Sequence, residues 1–118
     1  MNIELFREYC LAKKGVTEEF PFDETTLVFK VMGKMFALTG LDRLPFSVNL
    51  KCDPDRAIEL REYHNEITPG YHMSKIHWNT VNFSGTLATD MLYELIDHSY
   101  NLVVSGLTKK LRQELENL

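Results

Sequence analysis

Cysteine is scarce: Cys10 and Cys52 are the only two, and they form no CxxC pair. Two such residues make neither a disulfide framework nor a thiolate zinc site. Cys10 falls on the apolar stripe of a predicted helix, where a small core residue is the expected role. A reducing cytoplasm is the expected setting. No run of about 18 apolar residues occurs, so no membrane span is expected. The opening MNIELFREYC carries acids and lacks the basic-then-apolar layout of a secretory signal, so none is expected. There is no glycine-rich phosphate loop, and no GxSxG, HExxH or EF-hand pattern. Positive charge is also in deficit: 13 Lys and Arg against 17 Asp and Glu give −4. That balance argues against a strong, nonspecific nucleic-acid binder, because neutralising phosphates needs surplus cations.

What is present is a chain of 118 residues, 44% apolar and 25% charged, the makeup of one ordinary globular domain spanning 1–118. The charge is unevenly spread. Residues 25–52 hold Lys30, Lys34, Arg43 and Lys51 against Asp42 alone, and residues 67–89 hold Lys75 and no acid. These stretches carry +4 together and leave −8 on the rest. No internal repeat, low-complexity tract or linker interrupts the chain.

Periodicity predicts a helix over 3–13, capped by Asn2 and stopped by Gly15, with Leu5, Phe6, Tyr9 and Cys10 on one face. EEFPF reads as a short edge strand because of Pro21. TTLVFKVMGKMFALTG reads as a hairpin turning at Met32-Gly33. FSVNLK (46–51) alternates, with Phe46, Val48 and Leu50 inward and Ser47, Asn49 and Lys51 outward. A helix follows Asp53 and Pro54, then a loop broken at Pro69-Gly70. WNTVNF (78–83) is a strand with Val81 and Phe83 inward. A helix over 89–105 with Thr89 as cap candidate, and a terminal one capped by Thr108, complete the chain. The expected fold is α+β: an antiparallel sheet in two layers, with helices on one face and the other face partly open.

The outward positions make the candidate site. Lys30, Ser47, Asn49, Lys51, Trp78, Thr80 and Asn82 would share the uncovered face, with no carboxylate among them. Such a surface can meet phosphates and stack a base on Trp78. The tip from Lys30 to Lys34 can act as a basic wing, while a solvated face with scattered lysines is the plainer alternative. GYHMSKIHWNTV gathers His72, Lys75, His77 and Trp78. With His64, the histidine spacings of eight and five match no zinc pattern, and Glu66 and Ser74 alone are at hand to complete a catalytic set. Neither a metal nor another cofactor is expected. The loop is expected to lock onto the sheet through its polar side chains, anchored by Trp78.

The ordered pieces KVMGKMFALTG, VNLKCDPDRAIELRE, PGYHMSKIHWNTV and LIDHSYNLVVSGLTKKLRQEL resemble the MmcQ/YjbR family over about residues 30–115. The resemblance implies a CyaY-like domain and a double-wing DNA-binding protein; the chain is expected to be non-enzymatic and to act as a monomer. Its candidate contacts are Lys30, Lys34, Lys51, His72, Lys75, His77 and Trp78 on double-stranded DNA. A protein-interaction or chaperone-like module is the alternative, followed by a small-ligand binder or enzyme at the His72–Trp78 loop. The family carries over no catalytic residues.

Overall fold

The computed structural model describes residues 1–118. Helix α1 (Ile3–Leu11) starts where Asn2 Oδ1 accepts the Leu5 N–H at 2.8 Å, and it buries Phe6 and Cys10. It ends two residues earlier than periodicity suggests. Gly15, at φ 75°, turns the chain into strand β1 (Val16–Glu19). That strand lies just before FPF, whose Phe20 and Phe22 stand exposed on the loop leading to β2 (Thr26–Val31). Met32 and Gly33, both at positive φ, close the predicted hairpin onto β3 (Lys34–Gly40).

Strand β4 (Ser47–Lys51) leads through Asp53, whose carboxylate accepts the Arg56 N–H, into α2 (Pro54–Tyr63). A three-residue strand β5 (Ile67–Pro69) then pairs with β6 (Trp78–Asn82). Helix α3 (Thr89–Ser105) buries Leu92, Leu95, Ile96, Ser99 and Val103. Its N-cap is Ala88, without a side-chain bond, rather than Thr89. Thr108 caps α4 (Lys109–Glu116) as its type predicts.

All six strands join one antiparallel sheet in the order β1-β2-β3-β4-β6-β5. Helix α3 crosses β2, β3 and β4, while α1 lies over β1. The core between sheet and helices includes Phe6, Phe29 and Phe83, with half-buried Phe46 meeting Phe6 and Phe83 edge-on. Each large side chain fully buried there contributes about 1.5–3 kcal/mol.

A bulge shapes the centre of the sheet. Phe29 faces Ala37 and Lys30 faces Met35, so Phe36 is an extra residue on β3. Phe36 and Ala37 both enter the helix-side core in consequence. The bulge leaves the Phe36 carbonyl outside the ladder, and buried Ser99 on α3 donates to it at 2.5 Å. The same hydroxyl accepts the Lys51 N–H at 2.8 Å, where β4 has run past its pairing with β3. Ser99 thus closes the gap that the bulge opens between β3 and β4.

Candidate functional site

Antiparallel register fixes which side chains share the face away from the helices. Thr17 and Glu19 of β1, Thr26, Val28 and Lys30 of β2, and Met35 and Leu38 of β3 lie there. Asn49 faces both Leu38 and Thr80, which adds Ser47, Asn49 and Lys51 of β4 and Trp78, Thr80 and Asn82 of β6. The predicted sorting of Ser47, Asn49, Lys51, Trp78, Thr80 and Asn82 onto one face is therefore present.

The centre of this face is covered. Residues 70–77 fold back over it, so that Met73 with Met35 packs against Val28, Leu38 and Trp78. Trp78 is only 9% exposed, which corrects the expectation that its ring can stack a base. It anchors the loop instead. Tyr71 is held at both ends of its backbone: Thr80 Oγ1 accepts its N–H at 2.9 Å, and Asn49 Nδ2 donates to its carbonyl at 3.0 Å. Thr80 donates in turn to Asn49 Oδ1 at 2.6 Å. Lys75 Nζ donates to the Gly70 carbonyl at 3.0 Å, and Arg61 reaches the Lys75 carbonyl at 2.5 Å. Gly70 has to be glycine, because a Cβ there would lie 2.9 Å from the Trp78 carbonyl oxygen.

The remaining candidates divide by position. Lys30 and Lys51 lie at one end of the uncovered face, flanking Met35 across the sheet. Lys30 is paired at 3.5 Å with Glu19, a carboxylate that the sequence reading left off this face. Lys34 is exposed but pairs in register with Val31, a core residue, and so lies on the helix side. The hairpin tip is no free-standing wing: Met32 N–H bonds the Gly15 carbonyl at 3.3 Å. His72 and His77 are both exposed. His72 adopts φ 58° and rests on the Tyr71 ring, centroids 4.0 Å apart. The His77 carbonyl accepts the Cys52 N–H at 2.8 Å.

At the other end of the face the candidate His72 meets residues that belong to no motif. There the β1–β2, β3–β4 and β5–β6 loops enclose a cleft of ≈ 560 Å³ over Thr26, Ser47, Asn49 and Thr80. Asp42, Arg43, Tyr71 and His72 line it. Their separation in sequence carries no motif; beyond His72, two charges between two predicted strands and a tyrosine in a nonperiodic loop were the only signal.

Other chemistry is sparse. Burial pushes the Cys10 thiol up to about 12 and the Cys52 thiol to about 11, so neither is a thiolate at neutral pH. No three His, Cys, Asp or Glu side chains come together to hold a metal ion. No helix is long and apolar enough to cross a membrane.

An antiparallel sheet covered by helices on one side and by a single loop on the other defines a class of small α+β domain. The chain belongs to the YjbR family, whose profile matches residues 11–102. It is 33% identical to the uncharacterised protein YjbR of Escherichia coli K12 over 118 residues, the whole of both chains. It is 41% identical to YbdF of Escherichia coli O157:H7 over 92 residues, 77% of this chain and 75% of that one. The crystal structure of Deinococcus radiodurans protein DR2400, of the DUF419 domain family, superposes with a TM-score of 0.91 at 43% identity. That match covers 98% of this chain and 88% of the other. A Pseudomonas syringae crystal structure superposes at 0.75 with 28% identity, covering 86% and 98%.

Proposed function

We propose that the chain is a non-enzymatic binding domain that meets the phosphate backbone of duplex DNA, as a monomer, through the uncovered side of its sheet. The segregation of charge carries this reading. Strands β2 to β6 and the covering loop 70–77 hold Lys30, Lys34, Lys51, Lys75, His72 and His77 and no acid, β1 adds Glu19 to this face beside Lys30, and every helix carries carboxylates, mixed with bases on α1, α2 and α4. Lys51 and Lys30 are the central contacts, Lys34 reaches from the rim, and His72 and His77 add donors. Lys75 serves chiefly to hold the loop, and Trp78 contributes packing alone.

So few cations set the strength and character of binding. Three neutralised phosphates give a slope of log K against log salt of about −3, so affinity is modest and fades toward physiological salt. Titration of a duplex at low and moderate salt checks this. Lys30→Glu with Lys51→Glu should abolish low-salt binding; unchanged affinity in that variant would show the wrong face has been chosen.

A polypeptide partner is the second reading. It is favoured by Phe20, Phe22, Leu41 and Leu44, all about half exposed or more, on the loops at the cleft end. Co-purification with one defined protein, insensitive to nuclease, would select it.

A further inference from the structure

We propose that the cleft at the loop end of the uncovered face binds a small zwitterion, of which a free amino acid with an apolar side chain is the simplest case. The site lies away from Lys30 and Lys51; it shares His72 with the DNA reading but rests on Arg43 and Asp42, which that reading does not use.

Several polar groups around the cleft are already engaged. Thr80 and Asn49 hold the Tyr71 backbone, and Ser47 Oγ donates to the Pro45 carbonyl at 3.2 Å. Asp23 accepts the N–H groups of Thr25 and Thr26 and their hydroxyls. Those bonds hold its carboxyl below the usual range. Arg43, Asp42 and His72 remain. The ion pairs of the chain join Arg7 to Glu18, Lys13 to Asp97, Lys30 to Glu19 and Arg56 to Glu94, and leave Arg43 and Asp42 out.

Arg43 is nonetheless fixed in place. Its stem lies on Gly40, where an added Cβ would come within 2.9 Å of Cδ, and its guanidinium sits 4.0 Å from the centre of the Tyr71 ring. Set against the ring of a residue whose backbone is held by Asn49 and Thr80, the guanidinium makes no hydrogen bond of its own and keeps its donors free for both oxygens of a carboxylate. Asp42 Oδ1 stands over the same glycine, 3.6 Å from that Cβ position. An acid and a base thus lie side by side, unpaired, above bare backbone. A simple anion would be repelled by Asp42 and a simple cation by Arg43, whereas a zwitterion satisfies both. His72 adds an imidazole from a left-handed conformation that nonglycine residues adopt at a cost, a feature that concentrates at ligand sites. Phe22, Leu38, Leu44 and Met73 offer apolar surface to the ligand's side chain. The volume falls within the range of about 300–1,000 Å³ usual for small-molecule sites.

The test uses three probes with one phenyl body and different charges: L-phenylalanine, 3-phenylpropionate and 2-phenylethylamine, titrated into isotope-labelled protein by NMR. Saturable shifts of the Gly40, Arg43, Tyr71 and His72 amides are expected with L-phenylalanine, and binding about tenfold weaker with either singly charged probe. Arg43→Gln and Asp42→Asn should each weaken L-phenylalanine about tenfold, with Lys51→Gln without effect. Both altered side chains are exposed, so the folded spectrum should persist. No saturable shift with L-phenylalanine would overturn the site. Equal binding of 3-phenylpropionate, or indifference to Asp42→Asn, would overturn the zwitterion assignment.

Discussion

Single buried polar groups carry unusual weight here, and Ser99 is the clearest. Its hydroxyl serves two backbone groups on different strands, the Phe36 carbonyl and the Lys51 N–H. Ser99→Ala orphans both in the core, and a loss of about 2–4 kcal/mol is expected from urea denaturation. Ser105→Ala is the control, because that hydroxyl bonds only the Leu102 carbonyl of its own helix at 2.7 Å; its effect should stay within about 0.5 kcal/mol. His98 sets a pH dependence. Its Nε2 accepts the Asp53 N–H at 3.1 Å, which requires the neutral ring. Burial, and then the charge of Arg56, hold its pKa below the ordinary 6.5. The unfolded chain therefore binds the proton more readily, and folded stability falls as pH drops below 6.5, levelling off below the depressed folded value. The urea midpoint of the wild type should decline between pH 7.5 and 5, and His98→Gln should reduce that decline. An equal decline in both proteins would exclude His98 as the cause. In sequence His98 lies four positions from Glu94 on the same helix face, which gives no sign of Asp53; that link, 45 positions away, depends on how α3 crosses the end of β4.

At the scale of elements, the loop 70–77 decides what the uncovered face can do. Thr80→Val keeps the shape of the side chain but removes the hydroxyl that joins Asn49 to the Tyr71 N–H. A loss of about 1–3 kcal/mol is expected, with faster amide exchange at Tyr71 and its neighbours while the β2–β3 amides stay protected. Uniformly faster exchange across both regions would mean that the loop and sheet open as one unit. The hairpin and the 89–105 helix were readable from local pattern, since positive-φ turn chemistry and 3.6-residue periodicity are written in neighbouring residues. Strand β5 was not, because Ile67–Pro69 is too short to alternate and ends in proline beside a turn signal. The burial of Trp78 was equally hidden. Alternation assigns it correctly to the face away from the helices, yet the residue that covers it, Met73, belongs to a loop without periodicity. The cleft was out of reach for the same reason: three loops meet there through the strand order, and local sequence does not encode that order.

For the whole molecule, the question is whether an acidic protein can present a cationic side. Net charge governs solubility and long-range drift, while a partner within a Debye length, about 10 Å at 0.1 M salt, feels the local arrangement. Glu18 is drawn to the helix side by Arg7, which keeps that carboxylate off the uncovered face, and Glu66, beside Asn82 at the edge, is tied to Thr86. Glu19 beside Lys30 and Asp42 beside Arg43 temper the cationic field without abolishing it. Two double variants separate local from net charge. Lys30→Gln with Lys51→Gln, and Lys109→Gln with Lys110→Gln, each remove two positive charges, but the first pair lies on the sheet side and the second on α4. On a polyanionic column at low salt, the wild type should be retarded despite its charge of −4. The α4 variant should elute close to it, and the sheet variant should pass unretained. Equal loss in both would mean that net charge alone controls the interaction and that the sheet has no privileged side. Retention lost only in the α4 variant would move the polyanion surface to the helices, where the covering loop and its histidines have no part.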